Sequence, residues 1–519
     1  MRKSVRITEA IFWAVLCVLV AAVFANSLTK EPEHDEQMYC TAAVLTAQGR
    51  MIYRDFSYVA QLPYHPLLCA ALFKLSGTSY YLLTVRLLSA FCDVLVVVCI
   101  VAIYRRAFQT RPAAGKLLAV AAAVIYVFNP FVDYSNGFAW NHDLVVLSVM
   151  GAFLLFQATD FEQKSRYWKI AATGALLTFA TCMRITTAIV YPLFLLFLFC
   201  RPARSLRARA RNILPFLAAS AAVAVWPMYI IAQAPRAFYL NIVRIPVLNG
   251  QFLHRLGTAY SKPLVTLAFL TEPPCLLLVL TAVCICLMLF IARRQLHIGR
   301  AAPAGLAAAL VIVFFAIAYI PVTAWQQYVA VPIPFLVVSF AYPLEWLRDL
   351  GKKVYFKTAC GFLVVSLAVA MIREPTVLTR VWTLFKPARW APVRFHRMAE
   401  DIVANAPGEK LILTLSPLLA LEGGGSIYDE FSAGVFAYRV ADQLSETERK
   451  ITHTAGFKTV AAIAAKAKPS AVVLGTEPDY LEEPILRTVI EPDMENWELK
   501  VYDDRLKVYF RKMSANSDD

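Results

Sequence analysis

The sequence predicts a polytopic α-helical membrane protein with a small C-terminal α/β domain. Three observations carry this expectation. Of the 519 residues, 59% are hydrophobic and 17% charged, whereas soluble chains run at about 45–50% and about 25%. The apolar residues come in blocks of bilayer-spanning length, separated by short charged segments. After Arg373 no such block remains, and short apolar runs alternate with polar ones. The formal net charge of +15 would suggest nucleic acid in a soluble protein. Here the basic residues sit in short loops between apolar blocks, so the charge reports orientation, and no nucleic-acid partner is expected.

Arg2, Lys3 and Arg6 precede an apolar run from Ala10 to Leu28. Its end, Ala21-Ala22-Val23-Phe24-Ala25-Asn26, looks like a signal-peptide cleavage site. Its length is close to the ~20 residues a spanning helix needs, and it reads as an uncleaved first helix. A polar stretch, 29–78, follows. Further apolar blocks centre near residues 94, 125, 150, 177, 193, 222, 278, 311, 336 and 365, giving about eleven spans. Only Arg184-Ile185-Thr186-Thr187 separates the blocks near 177 and 193.

Every second loop is basic. The series runs through Arg105, Arg106, Arg111 and Lys116, then Lys164, Arg166 and Lys169, then Arg201, Arg204, Arg207, Arg209 and Arg211. It continues with Arg293, Arg294 and Arg300, and ends with Arg348, Lys352, Lys353 and Lys357. The positive-inside bias places these loops and the N-terminus in the cytoplasm, of a bacterial inner or plasma membrane. An odd span number then puts the C-terminal region outside. Most of the 11 cysteines lie in apolar blocks and show no metal-binding spacing. Cys40 and Cys69 both fall on the outer side and read as free thiols rather than a disulfide.

The chain divides into a membrane module, 1–373, and an outer domain, 374–519. In the latter, Lys410 to Leu415 and Ala471 to Gly475 read as buried strands, and Glu446 to Lys466 as a helix. Trp497 to Tyr502 and Leu506 to Phe510, around Asp503-Asp504-Arg505, read as a hairpin. Leu421-Glu422-Gly423-Gly424-Gly425 lacks the following Lys-Ser/Thr of a phosphate loop and reads as a plain loop.

The chemistry concentrates in the first outer loop. Asp35 and Glu36 sit beside His34, immediately after the first span. Adjacent carboxylates repel, although acids at a helix start are also favoured by the helix dipole. Tyr39, a short helix from Ala42 to Gly49 along the membrane surface, Tyr53, Asp55 and Pro63-Tyr64-His65-Pro66-Leu67 follow in order.

This order resembles the GT-C membrane glycosyltransferases, in particular the glycosyltransferase family 39-like branch of protein mannosyltransferases, aminoarabinose transferases and galacturonosyltransferases. The matching residues are Asp35-Glu36, Tyr39, Gly49, Tyr53, Asp55 and His65-Pro66-Leu67. His65 stands where the branch often has a first proline. The resemblance implies a sugar transferase whose donor is a polyprenyl-phosphate sugar at the outer membrane face. Its acceptor would be the hydroxyl of a glycolipid, glycan or protein, and its displacement would invert the anomeric centre. Asp35 is then expected as the base that takes the acceptor proton, with Glu36 positioning it.

Other outer-face residues carry two readings each. Asp143, in Asn141-His142-Asp143, is a helix-start acid or a second acidic site. Glu36, His142 and Asp143, with His34, are weak candidates for a divalent cation. Arg184 either snorkels to the interface or meets a lipid phosphate, since a charge at that depth needs a partner. Arg244, Arg255 and Lys262, interleaved with Phe238, Tyr239, Phe252 and Tyr260, either contact phosphate or face anionic lipid. Gln327 and Tyr328 occupy a family position or belong to the aromatic belt. The rival class is a transporter or lipid flippase. Against it, no internal repeat is evident and the charged candidates cluster at the outer surface rather than the midplane.

Overall fold

The fold is taken from a computed structural model, which describes residues 2–200, 205–258, 261–292, 301–321, 323–502 and 505–512. Of the residues read above, Arg201, Arg204, Tyr260, Arg293, Arg294, Arg300, Asp503 and Asp504 lie outside these ranges.

The apolar blocks fold as helices, the only open-ended structure that satisfies its own backbone polar groups in lipid. Among the described residues, six are long and apolar enough to cross a bilayer: Glu9–Thr29, Tyr81–Ala107, Arg209–Gln233, Pro273–Ile291, Gln326–Asp349 and Lys353–Arg373. Shorter apolar helices cover Pro112–Val127, His142–Gln157, Ile185–Phe199, Lys262–Thr271 and Ala302–Ala318. Each expected centre falls on a helix. The 16-residue helix Pro112–Val127, however, rises only about 24 Å at 1.5 Å per residue, against a hydrocarbon core of about 30 Å. Helix length alone therefore does not count the crossings. The helix Arg166–Thr181 ends just before Met183 and Arg184, and a 3-10 turn, Ile185–Ile189, leads into Val190–Phe199.

The C-terminal residues form a five-stranded mixed sheet. Its strands are β1 (Leu411–Leu413), β2 (Ser426–Ile427), β3 (Ala471–Leu474), β4 (Trp497–Tyr502) and β5 (Leu506–Arg511), in the order β2-β1-β3-β5-β4. β1 runs parallel to β2 and β3, while β5 is antiparallel to β3 and β4. β3 is buried along its whole length, as expected of a central strand covered on both faces. The expected strands and hairpin are present. The expected helix from Glu446 to Lys466 is instead two helices, Glu446–Thr452 and Val460–Lys466. The first is stopped by His453 in the left-handed conformation (φ 47°).

This α/β layer is docked on the segment that follows the first span, residues 30–63, rather than tethered beside it. Leu45, Tyr53 and Phe56 of the loop share one hydrophobic core with Ile402, Leu418 and Val473. Polar ties flank the core. Arg50 pairs with Asp429 at 2.7 Å, and the Glu422 carboxylate accepts from the Leu82 amide at 3.1 Å. His396 stacks on Tyr80 at 3.6 Å and lies 3.3 Å from Glu422. The short helix expected from Ala42 to Gly49 is the end of a longer helix, His34–Ala47, which is buried over most of its length. Gly423 is where two helices of the layer close up. A Cβ there would stand 2.2 Å from the Ala399 carbonyl oxygen, so the glycine-rich segment is a packing loop. Cys40 and Cys69 are buried free thiols.

Candidate active site

The first span ends at Thr29, and the chain re-enters a helix at His34. Glu33 caps that helix: its carboxylate accepts from the Asp35 amide at 2.8 Å, while Glu36 reaches back to the Glu33 amide at 3.1 Å. This reciprocal capping box orients the two neighbouring acids differently.

Glu36 points inward and is completely buried, as is Arg86. Arg86 Nε and Nη2 donate to the two Glu36 oxygens at 2.8 and 2.6 Å. It also donates to the Ser27, Lys30 and Glu31 carbonyls, at 3.1, 2.5 and 3.2 Å, at the otherwise unsatisfied end of the first helix. Glu36 also accepts from the Ala139 amide at 2.6 Å. The pair fastens the end of the first span, the helix His34–Ala47, the helix Tyr81–Ala107 and the segment around Ala139 to one another. Gly137 permits this approach, since its φ is +83° and a Cβ would lie 3.0 Å from Ser27.

Asp35 points the other way, with its side chain about a quarter exposed. Burial raises its carboxyl above the usual aspartate range, against the pull of His34, Arg439 and Arg184, with Glu36 adding to the rise. Burial and the neighbouring Asp35 push Glu33 well above its ordinary value. Glu33, His34 and Asp35 bring three donor atoms within 4.8 Å of one another, the one such trio among the described residues. Its carboxylate and imidazole donors suit a divalent transition metal. The expected set of Glu36, His142 and Asp143 does not assemble. Glu36 is consumed by Arg86, and the second oxygen of Asp143 accepts from the Gly137 amide at 3.0 Å.

Arg184 lies at the break between helices, with its guanidinium 4.8 Å from the centre of the Tyr328 ring. The charges of Arg184 and Asp35 both act on the buried Tyr39 phenol, which burial raises well above its ordinary value. Tyr39 donates to Asn141 at 3.4 Å. Arg184, Tyr328, His142, Thr186, Phe314 and Ile317 are among the residues that line one cavity. Its lining therefore combines a cation and hydroxyl groups with apolar side chains.

The structure thus assembles Asp35, Tyr39, Arg184 and Tyr328. Gln327 is next to Tyr328, and its buried amide oxygen has no partner among the described residues. The other expected residues have different surroundings. Tyr53, with φ +66°, donates to the Gln61 carbonyl at 2.5 Å. Asp55 accepts from Arg54 and from the Met51 amide at 2.7 Å. Both therefore brace the turn that supports the loop helix. His65 is fully buried, edge-on to Tyr39 at 5.1 Å, and burial takes its imidazole down to about 3. It supports Tyr39 as a neutral ring. Arg255 reaches Gln443 at 2.9 Å on the exposed flank of the layer, and the Arg244 charge acts on Glu448 there. Neither Arg244, Arg255 nor Lys262 is tied to Asp35 or Arg184 by a contact among the described residues. Two important residues escaped the sequence reading. Arg86 carried a usable signal, a lone arginine inside an apolar block. Arg439 carried none, because only the docking of the layer brings it near Asp35.

The helical bundle with its docked α/β layer is a fold shared with solved structures of ArnT and of an archaeal oligosaccharyltransferase. The family model for dolichyl-phosphate-mannose-protein mannosyltransferases matches residues 60–231. The crystal structure of ArnT from Cupriavidus metallidurans bound to undecaprenyl phosphate is similar at TM-score 0.59 and 15% identity, over 96% of this chain and 97% of that one. The oligosaccharyltransferase of Archaeoglobus fulgidus tethered to an acceptor peptide is similar at TM-score 0.52 and 13% identity, over 97% of this chain and 75% of that one. The archaeal oligosaccharyltransferase AglB from Archaeoglobus fulgidus, in complex with an inhibitory peptide and a dolichol-phosphate, gives 0.51 and 11%, over 98% and 75%. No curated protein sequence matches the chain.

Proposed function

We propose that the protein transfers a sugar from a polyprenyl phosphate to an acceptor hydroxyl of an envelope glycolipid, glycan or protein, at the outer face of the membrane. The observation that carries this reading is the cavity shared by Arg184, Tyr328 and apolar side chains of the bundle. A phosphate on an isoprenoid chain is one molecule with matching parts. Undecaprenyl phosphate and dolichol-phosphate in the similar structures are of this kind.

In this reading Asp35 takes the proton of the acceptor hydroxyl as the oxygen attacks the anomeric carbon. The bond from that carbon to the phosphate oxygen breaks, and the electron pair leaves with the phosphate. Arg184 and the Tyr328 hydroxyl stabilise the charge that develops there. A single displacement of this form inverts the anomeric centre. Glu36 acts indirectly, holding Asp35 in place through Arg86.

The test is binding of undecaprenyl phosphate to purified protein. A charge-assisted contact contributes about 1.5–3 kcal/mol, so Arg184→Gln should weaken binding roughly 10- to 100-fold. Wild-type affinity in the variant would place the phosphate elsewhere. The reading also requires the active face outside and about eleven crossings. Reporter fusions after Arg207 and after the last residue should therefore report opposite sides. The same side for both would overturn the orientation.

A further inference from the structure

The active-site end of the bundle is roofed by the short helix Val435–Tyr438 of the α/β layer. Its Phe436 ring lies 5.6 Å from the ring of His34, the neighbour of Asp35. Arg439, which caps this helix, lies 5.2 Å from the same Phe436 ring. Arg439 is held from one side only. Its Nε donates to Asn249 at 2.5 Å, and Asn249 in turn donates to the Phe436 carbonyl at 2.7 Å.

Neither terminal nitrogen of Arg439 has a hydrogen-bond or ion-pair partner among the described residues. Arg86 shows the contrast: there a structural arginine spends both terminal nitrogens and its Nε on carboxylate and carbonyl oxygens. Arg439 is braced at its stem and open at its fork, the arrangement of a recognition arginine.

We propose that Arg439 recognises an anionic group, a carboxylate or a phosphate ester, carried by the substrate that meets Asp35, so that the α/β layer selects the substrate. This rests on the transferase reading and extends it.

The charged and titratable groups around Arg439 among the described residues are His34, Asp35, Glu477 and Tyr480. Burial, with Glu482 nearby, takes Glu477 up to about 8, so it is mostly protonated at neutral pH and leaves Arg439 uncompensated from that side. Glu477 Oε1 is buried without a partner among the described residues. As a neutral acid, Glu477 can donate to the same anion. The anion has two sources in this chemistry: a carboxylate on the transferred sugar, or a phosphate on the acceptor.

The experiment uses full-length protein in nanodiscs and two pairs of probes, glucuronate against glucose and glycerol 3-phosphate against glycerol. Undecaprenyl phosphate is the control ligand. The wild type should prefer one charged probe over its neutral partner, glucuronate indicating the sugar and glycerol 3-phosphate the acceptor. Arg439→Gln should weaken that probe at least about tenfold, and Arg439→Lys should recover part of the loss. Undecaprenyl phosphate affinity should stay within about twofold in both variants, since Arg184 rather than Arg439 faces the lipid cavity. A wild type with no preference for either charged probe overturns the proposal, and so does Arg439→Gln with wild-type preference. If Arg439→Gln does not fold, the wild-type preference and Arg439→Lys decide. Failure of undecaprenyl phosphate to bind the wild type, with the Arg439 effect intact, would overturn the lipid-donor reading and leave this one standing.

Discussion

Asp35→Asn should lower transfer by about 10²–10⁴-fold, the contribution of a positioned general base, while leaving undecaprenyl phosphate affinity and thermal stability near wild type. Asparagine keeps the size and removes the basic oxygen. Among the described residues the Asp35 side chain accepts no hydrogen bond that holds the fold, because Glu33 and Glu36 supply the capping box. The pH profile supplies an independent check. The base works only when deprotonated, so kcat/KM should fall as pH drops through the Asp35 value. Burial raises that value above the usual aspartate range, even with His34, Arg439 and Arg184 pulling it down. The acidic limb should accordingly lie above about 3.9, the reference for aspartate. Folded Asp35→Asn protein with near-wild-type turnover would sink the assignment and move attention to Glu33, the nearest other carboxylate of the trio.

Arg86→Met should have the largest effect on stability. It strands the Glu36 carboxylate, which is completely buried, and leaves the Ser27, Lys30 and Glu31 carbonyls without their donor. Breaking a buried pair from one side costs about 3–5 kcal/mol, enough to reduce yield and the thermal midpoint of the purified protein markedly. Arg86→Met combined with Glu36→Leu removes both charges and should recover part of the loss. A single Arg86→Met variant as stable as wild type would show that the pair does not fasten the first span to the loop. The comparison also separates the two acids. Asp35→Asn should be folded with strongly reduced transfer, whereas single variants of the Glu36–Arg86 pair should fail through folding.

The sequence by itself determined the membrane class, the helix positions and the strands of the C-terminal region, and it proposed Asp35 as the leading acid. It could do so because each rests on a local signal: apolar block length, short apolar runs between polar segments, and an acidic pair immediately after a span. It also picked out Arg184 and Tyr328, since charged and aromatic residues at helix ends are conspicuous in an apolar chain. Tertiary structure alone decided what those residues do together. Asp35 and Glu36 are adjacent in sequence and look alike there. The helix rotates successive side chains by about 100°, so one faces the site and the other faces Arg86, fifty positions further along. In sequence, Arg244 and Arg255 read equally as phosphate contacts or as cations facing anionic lipid, and only the docked layer supplies their neighbours, Glu448 and Gln443. Arg439 could not be found at all from sequence. It lies hundreds of residues from Asp35, and only the hydrophobic core shared by the first outer loop and the α/β layer brings the two together. Burial of apolar surface is non-directional. It docks one segment on another without leaving, in either, a motif that names the residue it will face.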